Sequence, residues 1–286
     1  IDLPTLQRDG SLAAEDLRDA PVFPQERVDY GAVIPHRRQV LTHACARFAR
    51  GPGESPAGAA AAFQRFCRTE RPWLEDFALF MALKLHYEAK GLAGAWTSGW
   101  PLTIVRREKA ALQKMRRELA DEIQGQKFQQ FLFALQWRAL KRHANERGIR
   151  LIGDVPIFVA GDSADVWANQ ELFQLDEQGK PLAVAGVPPD YFSATGQLWG
   201  NPLYDWPRHR EEGYRWWIRR VHSALQRVDL LRLDHFRGFE AYWRVQAGAS
   251  TAVEGRWVKG PGAERLTALR RALASDSWAA GSLPII

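Results

Sequence analysis

Apolar residues recur at helical spacing through most of the first half of the chain. Residues 1 to about 35 lack such periodicity and predict loops and short turns. From Pro35 to about residue 148 the pattern is helical, with two long helices predicted over 104–123 and 126–147. The clearest apolar stripe, at i, i+3, i+7 and i+11, consists of Leu74, Phe77, Met81 and Leu85. Residues 1–148 are therefore predicted to be a mainly helical subdomain.

The pattern changes at residue 149. Residues 149–159 are nearly all apolar, which predicts a short parallel strand buried on both faces. The Gly-, Pro- and aromatic-rich segment 160–206 predicts a long loop, and the spacing over 208–227 predicts a helix. The apolar face of that helix is predicted to be Tyr214, Trp217, Ile218, Val221 and Leu225.

The last part of the chain continues this alternation of strands and helices. A strand over 228–234, a helix over 263–274 and the beginning of another strand at 283–286 are predicted. Strands alternating with helices indicate a parallel sheet. Because carboxylates end two of the strands and no GxGxxG motif follows any strand, a (β/α)8 barrel is favoured over a dinucleotide-binding sheet. Residues 149–286 would contribute the barrel strands and their functional loops.

Composition is that of a soluble globular protein. The 286 residues suffice for one large domain or two ordinary ones, with 46% apolar and 25% charged residues. The net charge of +6 would permit nucleic-acid binding, but the basic residues are interspersed with acidic ones, and no zinc or RNA-binding motif is present. No run reaches the ~20 apolar residues of a membrane span. Cys45 and Cys67 have no paired-cysteine motif and predict reduced thiols in a cytoplasmic protein.

The first candidate for chemistry is Asp234, at the end of the predicted strand 228–234. Arg232 lies two residues earlier, on the same face of that strand. A guanidinium beside a carboxylate favours its ionised form, which is the form that attacks carbon. On spacing alone, however, such a pair is more often a structural ion pair than a nucleophile with its partner.

Asp154 lies at a comparable position in the predicted strand 149–159. Carboxylates at the same end of neighbouring parallel strands converge on one cleft. The alternative is that Asp154 caps a turn before Pro156. Both interpretations stand on this evidence alone.

A second candidate site is the segment 186–204. Aromatic residues alternate there with residues that form hydrogen bonds, namely Tyr191, Phe192, Trp199 and Tyr204 with Asp190, Ser193, Gln197 and Asn201. Flat rings stack on the C–H faces of sugars while amides and carboxylates bind the hydroxyls, so the composition suits carbohydrate. An ordered Ω-loop whose aromatic side chains pack inward is the alternative.

The remaining residues do not complete a catalytic set. A retaining glycosidase needs a second carboxylic acid about 5–5.5 Å from the nucleophile, and neither Glu240 nor Glu254 ends a predicted strand. No Ser-His-Asp or Cys-His signature is present. His222 and His235 are too isolated to indicate a metal site.

Several ordered motifs resemble the 4-α-glucanotransferases, also called amylomaltases or disproportionating enzymes, of glycoside hydrolase family 77. The resemblance extends along essentially the whole chain. The motifs are WLEDFALF (73–80), GDVPIFV (153–159), PPDYFS (188–193), WGNPLY (199–204), RLDHFRG (232–238) and TAVEGRWVK (251–259). The fold this resemblance implies is a partial (β/α)8 TIM barrel of the α-amylase clan with a large helical insertion.

The resemblance implies transfer of α-1,4-glucan segments by a retaining double displacement, with maltooligosaccharides as substrates and no metal or organic cofactor. Asp234 would be the nucleophile and Arg232 would keep it ionised. Asp154 would help to bind the sugar at the cleaved bond, and Asp190, Tyr191 and Trp199 would line a lid over the donor glucan. The further substrate-binding candidates, from the same motifs, are Asn201 and His235.

The resemblance also indicates that the chain is part of a longer protein. The family's acid/base glutamate would follow the strand that begins at 283–286, and two barrel strands would precede residue 1. We therefore expect the isolated 286-residue chain to be inactive, an expectation that sugar transfer by the purified chain would refute. The alternatives are a non-catalytic glucan-binding protein and a retaining α-glucan hydrolase.

Overall fold

The computed structural model describes residues 1–18, 20–51, 56–274 and 283–286. In the described residues the first half of the chain contains helices and no strands, and the second half contains both. The described helices are α1 (Leu3–Arg8), α2 (Tyr30–Ala49), α3 (Ala59–Thr69), α4 (Arg71–Ala89), α5 (Trp96–Gly99), α6 (Leu102–Val105), α7 (Lys109–Glu118), α8 (Ala120–Asn145), α9 (Ala164–Ala168), α10 (Trp206–Glu211), α11 (Arg215–Arg227) and α12 (Ala263–Leu273). The described strands are β1 (Ile152–Pro156), β2 (Ala183–Val187), β3 (Gln197–Pro202), β4 (Leu230–Asp234), β5 (Ala241–Gln246) and β6 (Gly255–Lys259). Short 3-10 turns lie at Glu15–Leu17, Gln170–Leu172 and Phe236–Phe239. The protein is therefore of the mixed α/β class.

Strands β1 and β4 are parallel neighbours, as the alternation of strands and helices predicted. Their register places Asp154 opposite Arg232 and Pro156 opposite Asp234. Ile285 forms a parallel bridge with Leu231 on β4, which confirms that residues 283–286 pair as a strand would.

The other four strands form an antiparallel sheet in the order β3-β2-β5-β6. The prediction of a long loop over 160–206 is wrong, because this segment contains α9, β2 and β3. Strand β2 is a run of small apolar residues buried without alternation, and β3 mixes polar, aromatic, Gly and Pro residues. Neither has the period of two that identifies a strand in sequence, so their extended form depends on pairing within the sheet.

The boundaries of several helices also differ from those predicted. The segment 104–123 is not one helix, because α6 ends at Val105 and Arg107 has a left-handed φ of 55° before α7 begins. Helix α2 begins at Tyr30, five residues earlier than predicted, because the Asp29 carboxylate accepts a hydrogen bond from the Gly31 amide and caps it.

Strand β1 is not buried on both faces. Ile152 is 61% exposed and Val155 is buried. A nearly all-apolar run therefore did not establish burial of both faces of this strand.

The chain divides into two compact units. The first comprises residues 1–82 and 116–139. Its core contains a cluster of phenylalanine rings, in which Phe128 stacks on Phe48 at 4.2 Å between centroids and meets Phe63 edge-on at 5.8 Å. Of the predicted stripe on α4, Leu74 is fully buried and the other three residues are half-buried.

The second unit comprises residues 83–115 and 140–286 and contains all the described strands. Its core is rich in aromatic residues, among which the Tyr204 hydroxyl donates a 2.7 Å hydrogen bond to the Ile157 carbonyl after β1. Helix α11 buries Trp216, Trp217, Val221 and Leu225. Tyr214 is buried too, but as the N-cap of the helix with a φ of 57°, and not on its face. The boundary predicted at residue 148 separates a helical insertion from the strands of a barrel. This is a different division from the two compact units, and it remains a prediction.

Neither unit contains a described helix that is long and apolar enough to cross a membrane.

Two polar side chains are buried in the aromatic core of the second unit. Arg265 and His209 are both 0% exposed. The three guanidinium nitrogens of Arg265 have no hydrogen-bond partner among the described residues, and the Nδ1 of His209 lies 3.6 Å from Glu212 Oε1, beyond hydrogen-bond distance. The Arg265 guanidinium instead lies 3.5 Å from the centroid of the Phe239 ring. Burial lowers the pKa of Arg265 to about 10 and that of His209 to about 4.

Replacing Arg265 with leucine should stabilise the protein. A buried charge that lacks an acceptor is costly, and apolar replacements at such positions commonly add about 1–3 kcal/mol to the free energy of unfolding. Denaturant unfolding of Arg265→Leu measures this, with the exposed Arg271 of the same helix as the control in Arg271→Leu. Lower stability of Arg265→Leu than of Arg271→Leu would contradict the expectation.

His209 should make stability fall in weakly acidic solution. Its folded-state pKa is below that of an unfolded histidine, so its contribution is complete above about pH 6.5 and is lost as the pH falls towards about 4. Between pH 7 and 4.5 the loss from this one group should be about 2–3 kcal/mol. Unfolding free energies of the wild type and His209→Phe at both pH values check this, and equal pH dependence in the two proteins would refute it.

Candidate active site

The register of β1 and β4 builds the centre of the candidate site. Asp154 and Arg232 lie directly opposite each other. Arg232 Nε donates to Asp154 Oδ1 at 2.8 Å, and Nη2 donates to Oδ2 at 3.0 Å. The same Nη2 lies 3.4 Å from Asp234 Oδ1. One guanidinium therefore lies between two carboxylates, and all three side chains are about half exposed.

The stronger partner of Arg232 is Asp154, although sequence spacing pairs the arginine with Asp234. Side chains at i and i+2 on a strand are separated by two residue rises, about 6.6 Å, whereas directly opposite residues on paired strands are about 4.8 Å apart. The bidentate hydrogen bond from Arg232 lowers the pKa of Asp154, and it raises the pKa of Arg232 in return. Arg232 is thereby held charged beside Asp234.

The chain turns sharply after Asp234. His235 has a left-handed φ of 54° and leads into the 3-10 turn Phe236–Phe239. Gly238 is closely packed in this turn, since a Cβ there would lie 2.8 Å from Ile157 Cδ1 and 2.9 Å from His235 Cδ2. Burial lowers the pKa of His235, and the neighbouring Asp234 carboxylate opposes that shift. His235 is thus packed beside the candidate nucleophile.

Strand β3 supplies two further predicted residues. The Trp199 ring meets His235 edge-on at 4.9 Å between centroids, and its Nε1 donates to Gln197 Oε1 at 3.0 Å. The Asn201 side chain donates to the Val159 carbonyl at 2.9 Å, so its amide positions the segment that follows β1. The structure thus brings Trp199 next to the turn that follows Asp234.

The other two predicted residues lie in the β2–β3 hairpin loop, 188–196. Asp190 Oδ1 accepts hydrogen bonds from the amides of Phe192 and Ser193, both at 2.9 Å, and so stabilises its own loop. Tyr191 is 97% exposed and Phe192 91% exposed, with their rings perpendicular at 5.6 Å. No described contact joins Asp190 or Tyr191 to Asp234. The hairpin instead presents a pair of aromatic rings to solvent.

Sequence reasoning did not place Arg237 and Trp257 in the site. The Arg237 guanidinium lies 4.6 Å above the Trp257 ring, which connects the turn after Asp234 to β6. Both residues fall inside conspicuous motifs, but no sequence signal pairs positions twenty residues apart on different elements. Their contact depends on the antiparallel sheet, which was not predicted.

This arrangement suits chemistry on an uncharged, hydroxyl-rich molecule. Asp234 is half exposed and adjacent to a permanent positive charge, so its carboxylate can attack an electrophilic carbon. Asp154 and Arg232 present further groups to hydroxyls, and exposed rings can stack on a sugar. Within the described part of the chain, no group of three or more His, Cys, Asp or Glu residues is arranged to hold a metal ion.

Comparisons with known proteins agree with this chemistry. The family model described as 4-alpha-glucanotransferase, glycoside hydrolase family 77, matches residues 1–286. The chain is 51% identical over 262 residues to the 4-alpha-glucanotransferase of Thermus thermophilus, covering 92% of this chain and 50% of that protein. It is 48% identical over 254 residues to the enzyme of Aquifex aeolicus, covering 88% and 49%.

A solved structure is similar along the whole chain. The amylomaltase from Streptococcus agalactiae, in complex with acarbose, superposes with a TM-score of 0.89 at 38% identity, covering 100% of this chain and 54% of that one. The chain spans about half the length of the curated relatives it matches.

The hairpin loop should be intolerant of a side chain at Gly196. This residue has a φ of 68°, and a Cβ there would lie 2.3 Å from the Val187 carbonyl oxygen. Gly200 has a φ of 76° with nothing within 4 Å, so Gly200→Ala carries the backbone strain without the clash. We expect Gly200→Ala to cost about 1 kcal/mol of unfolding free energy and Gly196→Ala at least about twice that. Equal losses in denaturant unfolding would contradict the clash.

Proposed function

This chain belongs to the 4-alpha-glucanotransferase family, glycoside hydrolase family 77, and we propose that it carries the nucleophile of an enzyme that transfers α-1,4-glucan segments to the 4-hydroxyl of an acceptor glucan or glucose. The observation that carries the proposal is the group formed by Asp154, Arg232 and Asp234 on two parallel strands. Asp234 is the last residue of β4, whereas Asp154 is the middle residue of β1 and does not end its strand as predicted.

The reaction is a retaining double displacement. Asp234 attacks the anomeric carbon of the donor, a bond forms between its carboxylate oxygen and that carbon, and the bond to the leaving 4-oxygen breaks as that oxygen receives a proton from a carboxylic acid. The 4-hydroxyl of the acceptor then attacks the same carbon, gives its proton to the carboxylate that the first step left deprotonated, and releases the Asp234 carboxylate. Two inversions give net retention.

Arg232 serves this reaction by keeping a fixed positive charge beside Asp234. Its bidentate hydrogen bonds to Asp154 hold the guanidinium plane in place, so Asp234 is approached from a defined direction at 3.4 Å. Asp154 itself is half exposed and has lone pairs available for the hydroxyls of the sugar at the cleaved bond.

The β2–β3 hairpin acts as the lid over the donor glucan. Tyr191 at its tip is exposed and can stack on a sugar ring, while Asp190 maintains the shape of the loop. Trp199 and His235 form the wall beside the nucleophile, and Asn201 supports the adjacent segment. Water exclusion by such a lid lets an acceptor sugar, and not water, resolve the covalent intermediate.

The parallel pair β1–β4 would be part of a (β/α)8 barrel of the α-amylase clan, with the helical region 1–148 as its insertion. The parallel bridge at Ile285 and the carboxylate of Asp234 at the end of β4 support this architecture. The two free thiols, Cys45 and Cys67, suit a reducing cytoplasmic environment.

Asp234→Asn in the intact gene product should abolish glucan transfer, by at least about 10³-fold, because an amide cannot form the covalent intermediate. Binding of maltooligosaccharides should persist. Incubation with maltotriose, with free glucose and total reducing ends counted separately, measures transfer, because transfer conserves the number of glycosidic bonds. Asp121→Asn, at an exposed helical position, is the matched control.

Other outcomes identify other functions. Normal transfer by Asp234→Asn would overturn the nucleophile assignment. A rise in reducing ends with the wild type would indicate a hydrolase, and binding of maltotriose without any change in chain length would indicate a glucan-binding protein.

A further inference from the structure

The position of Asp234 depends on the turn that follows it. Arg232 is committed to Asp154 by two hydrogen bonds and reaches Asp234 only at 3.4 Å. Asp234 is also the last residue of β4, and the left-handed His235 follows immediately. The direction of the Asp234 side chain is therefore set mainly by the backbone between β4 and the 3-10 turn.

The far end of this turn is anchored to the segment after β6. The Gly260 amide donates to the Glu240 carbonyl at 2.7 Å, and the Gly262 amide donates to the Phe239 carbonyl at 2.8 Å. A Cβ at Gly260 would lie 2.3 Å from the Phe239 oxygen, so this approach is as close as glycine permits. The middle of the turn, at Arg237, has a different kind of anchor.

Arg237 is held by an aromatic ring. Its guanidinium carbon lies 4.6 Å from the centroid of Trp257 on β6, and no carboxylate among the described residues forms a salt bridge with it. A planar guanidinium over an indole face is a favourable cation–π contact with a defined orientation. Arg237 thus fixes the middle of the turn through its side chain.

Trp257 is itself fixed in place. It lies opposite Trp243 in the β5–β6 register, with the two ring centroids 5.5 Å apart. Trp243 Nε1 donates to the Ala252 carbonyl at 2.9 Å. The Trp257 ring is therefore a firm support for Arg237, although it is 44% exposed.

We propose that Arg237 and Trp257 are positioning residues, which aim the Asp234 carboxylate by stacking the turn after it against β6. Neither side chain needs to touch substrate for this role. The expected effect on kcat rests on the proposed function. The expected effect on the turn, that its backbone is held against β6, does not.

The kinetic test uses four single variants of the intact gene product and one double variant. Arg237→Ala and Trp257→Leu remove the stack, and each should lower kcat for transfer from maltotriose about 10-fold with KM within about twofold, because misplaced reacting groups lower the rate of the chemical step. Arg237→Lys keeps the charge and Trp257→Phe keeps an aromatic face, so each should recover part of kcat. The double variant should be no slower than either single truncation, since both remove one contact.

The matched control is Arg107→Ala. It removes a similar stack, in which the Arg107 guanidinium lies 4.2 Å from the centroid of the Trp167 ring, and neither residue belongs to the candidate site. Its kcat and KM should stay at the wild-type values. An equal fall of kcat in this control would show a general effect of destabilisation and would overturn the proposal.

The structural test is hydrogen exchange, which needs no activity. Backbone amides of residues 235–240 should exchange faster in Arg237→Ala and Trp257→Leu than in the wild type and in Arg107→Ala. Unchanged exchange in this turn would overturn the proposal, as would a rise in KM at constant kcat, which would make Trp257 a sugar-binding surface. If the wild type transfers no sugar, the proposed function fails, while the exchange rates still decide whether Arg237 and Trp257 hold the turn.

Discussion

The candidate site depends on one guanidinium held between two carboxylates. Arg232 can reach both Asp154 and Asp234 only because β1 and β4 are parallel and Asp154 faces Arg232 in their register. A shift of one residue would turn one of these side chains to the other face of the strand. Gly153 contributes to this close pairing, since a Cβ there would lie 2.8 Å from a Val228 methyl group.

The rest of the second unit supports that pair of strands. The aromatic core provides the Tyr204 hydroxyl, which holds the Ile157 carbonyl just after β1. The antiparallel sheet contributes Trp199, which contacts His235, and Trp257, which contacts Arg237. The candidate nucleophile Asp234 and the turn that follows it are thus supported by strands of the other sheet. The cost of this aromatic core is visible in the buried Arg265, whose guanidinium nitrogens have no hydrogen-bond partner in the described part of the chain.

Much of the fold could be predicted from the sequence where its elements have a clear period. Helix α8, strand β4, the pairing of residues 283–286 and helix α12 all occur close to the predicted places, whereas the predicted helix 104–123 is divided at Arg107. Strands β2, β3, β5 and β6 were missed, because their residues become extended only through pairing with distant strands. Of the candidate site, the residues of the β1–β4 pair were identified, but the partner of Arg232 was not, since spacing along one strand says nothing about the neighbouring strand.

By itself the sequence determined the candidate residues of the site, because the motifs around Asp154, Asp190, Trp199 and Asp234 are local and their residue types limit what they can do. It also determined the family, through the order of those motifs. Only the tertiary structure decided that Arg232 binds Asp154 in preference to Asp234, that Asp190 stabilises its own loop, and that Arg237 rests on Trp257. These contacts join residues that are far apart in the chain, or they depend on the geometry of a loop. The distances between residues on neighbouring strands are set by strand register, which no local sequence pattern specifies.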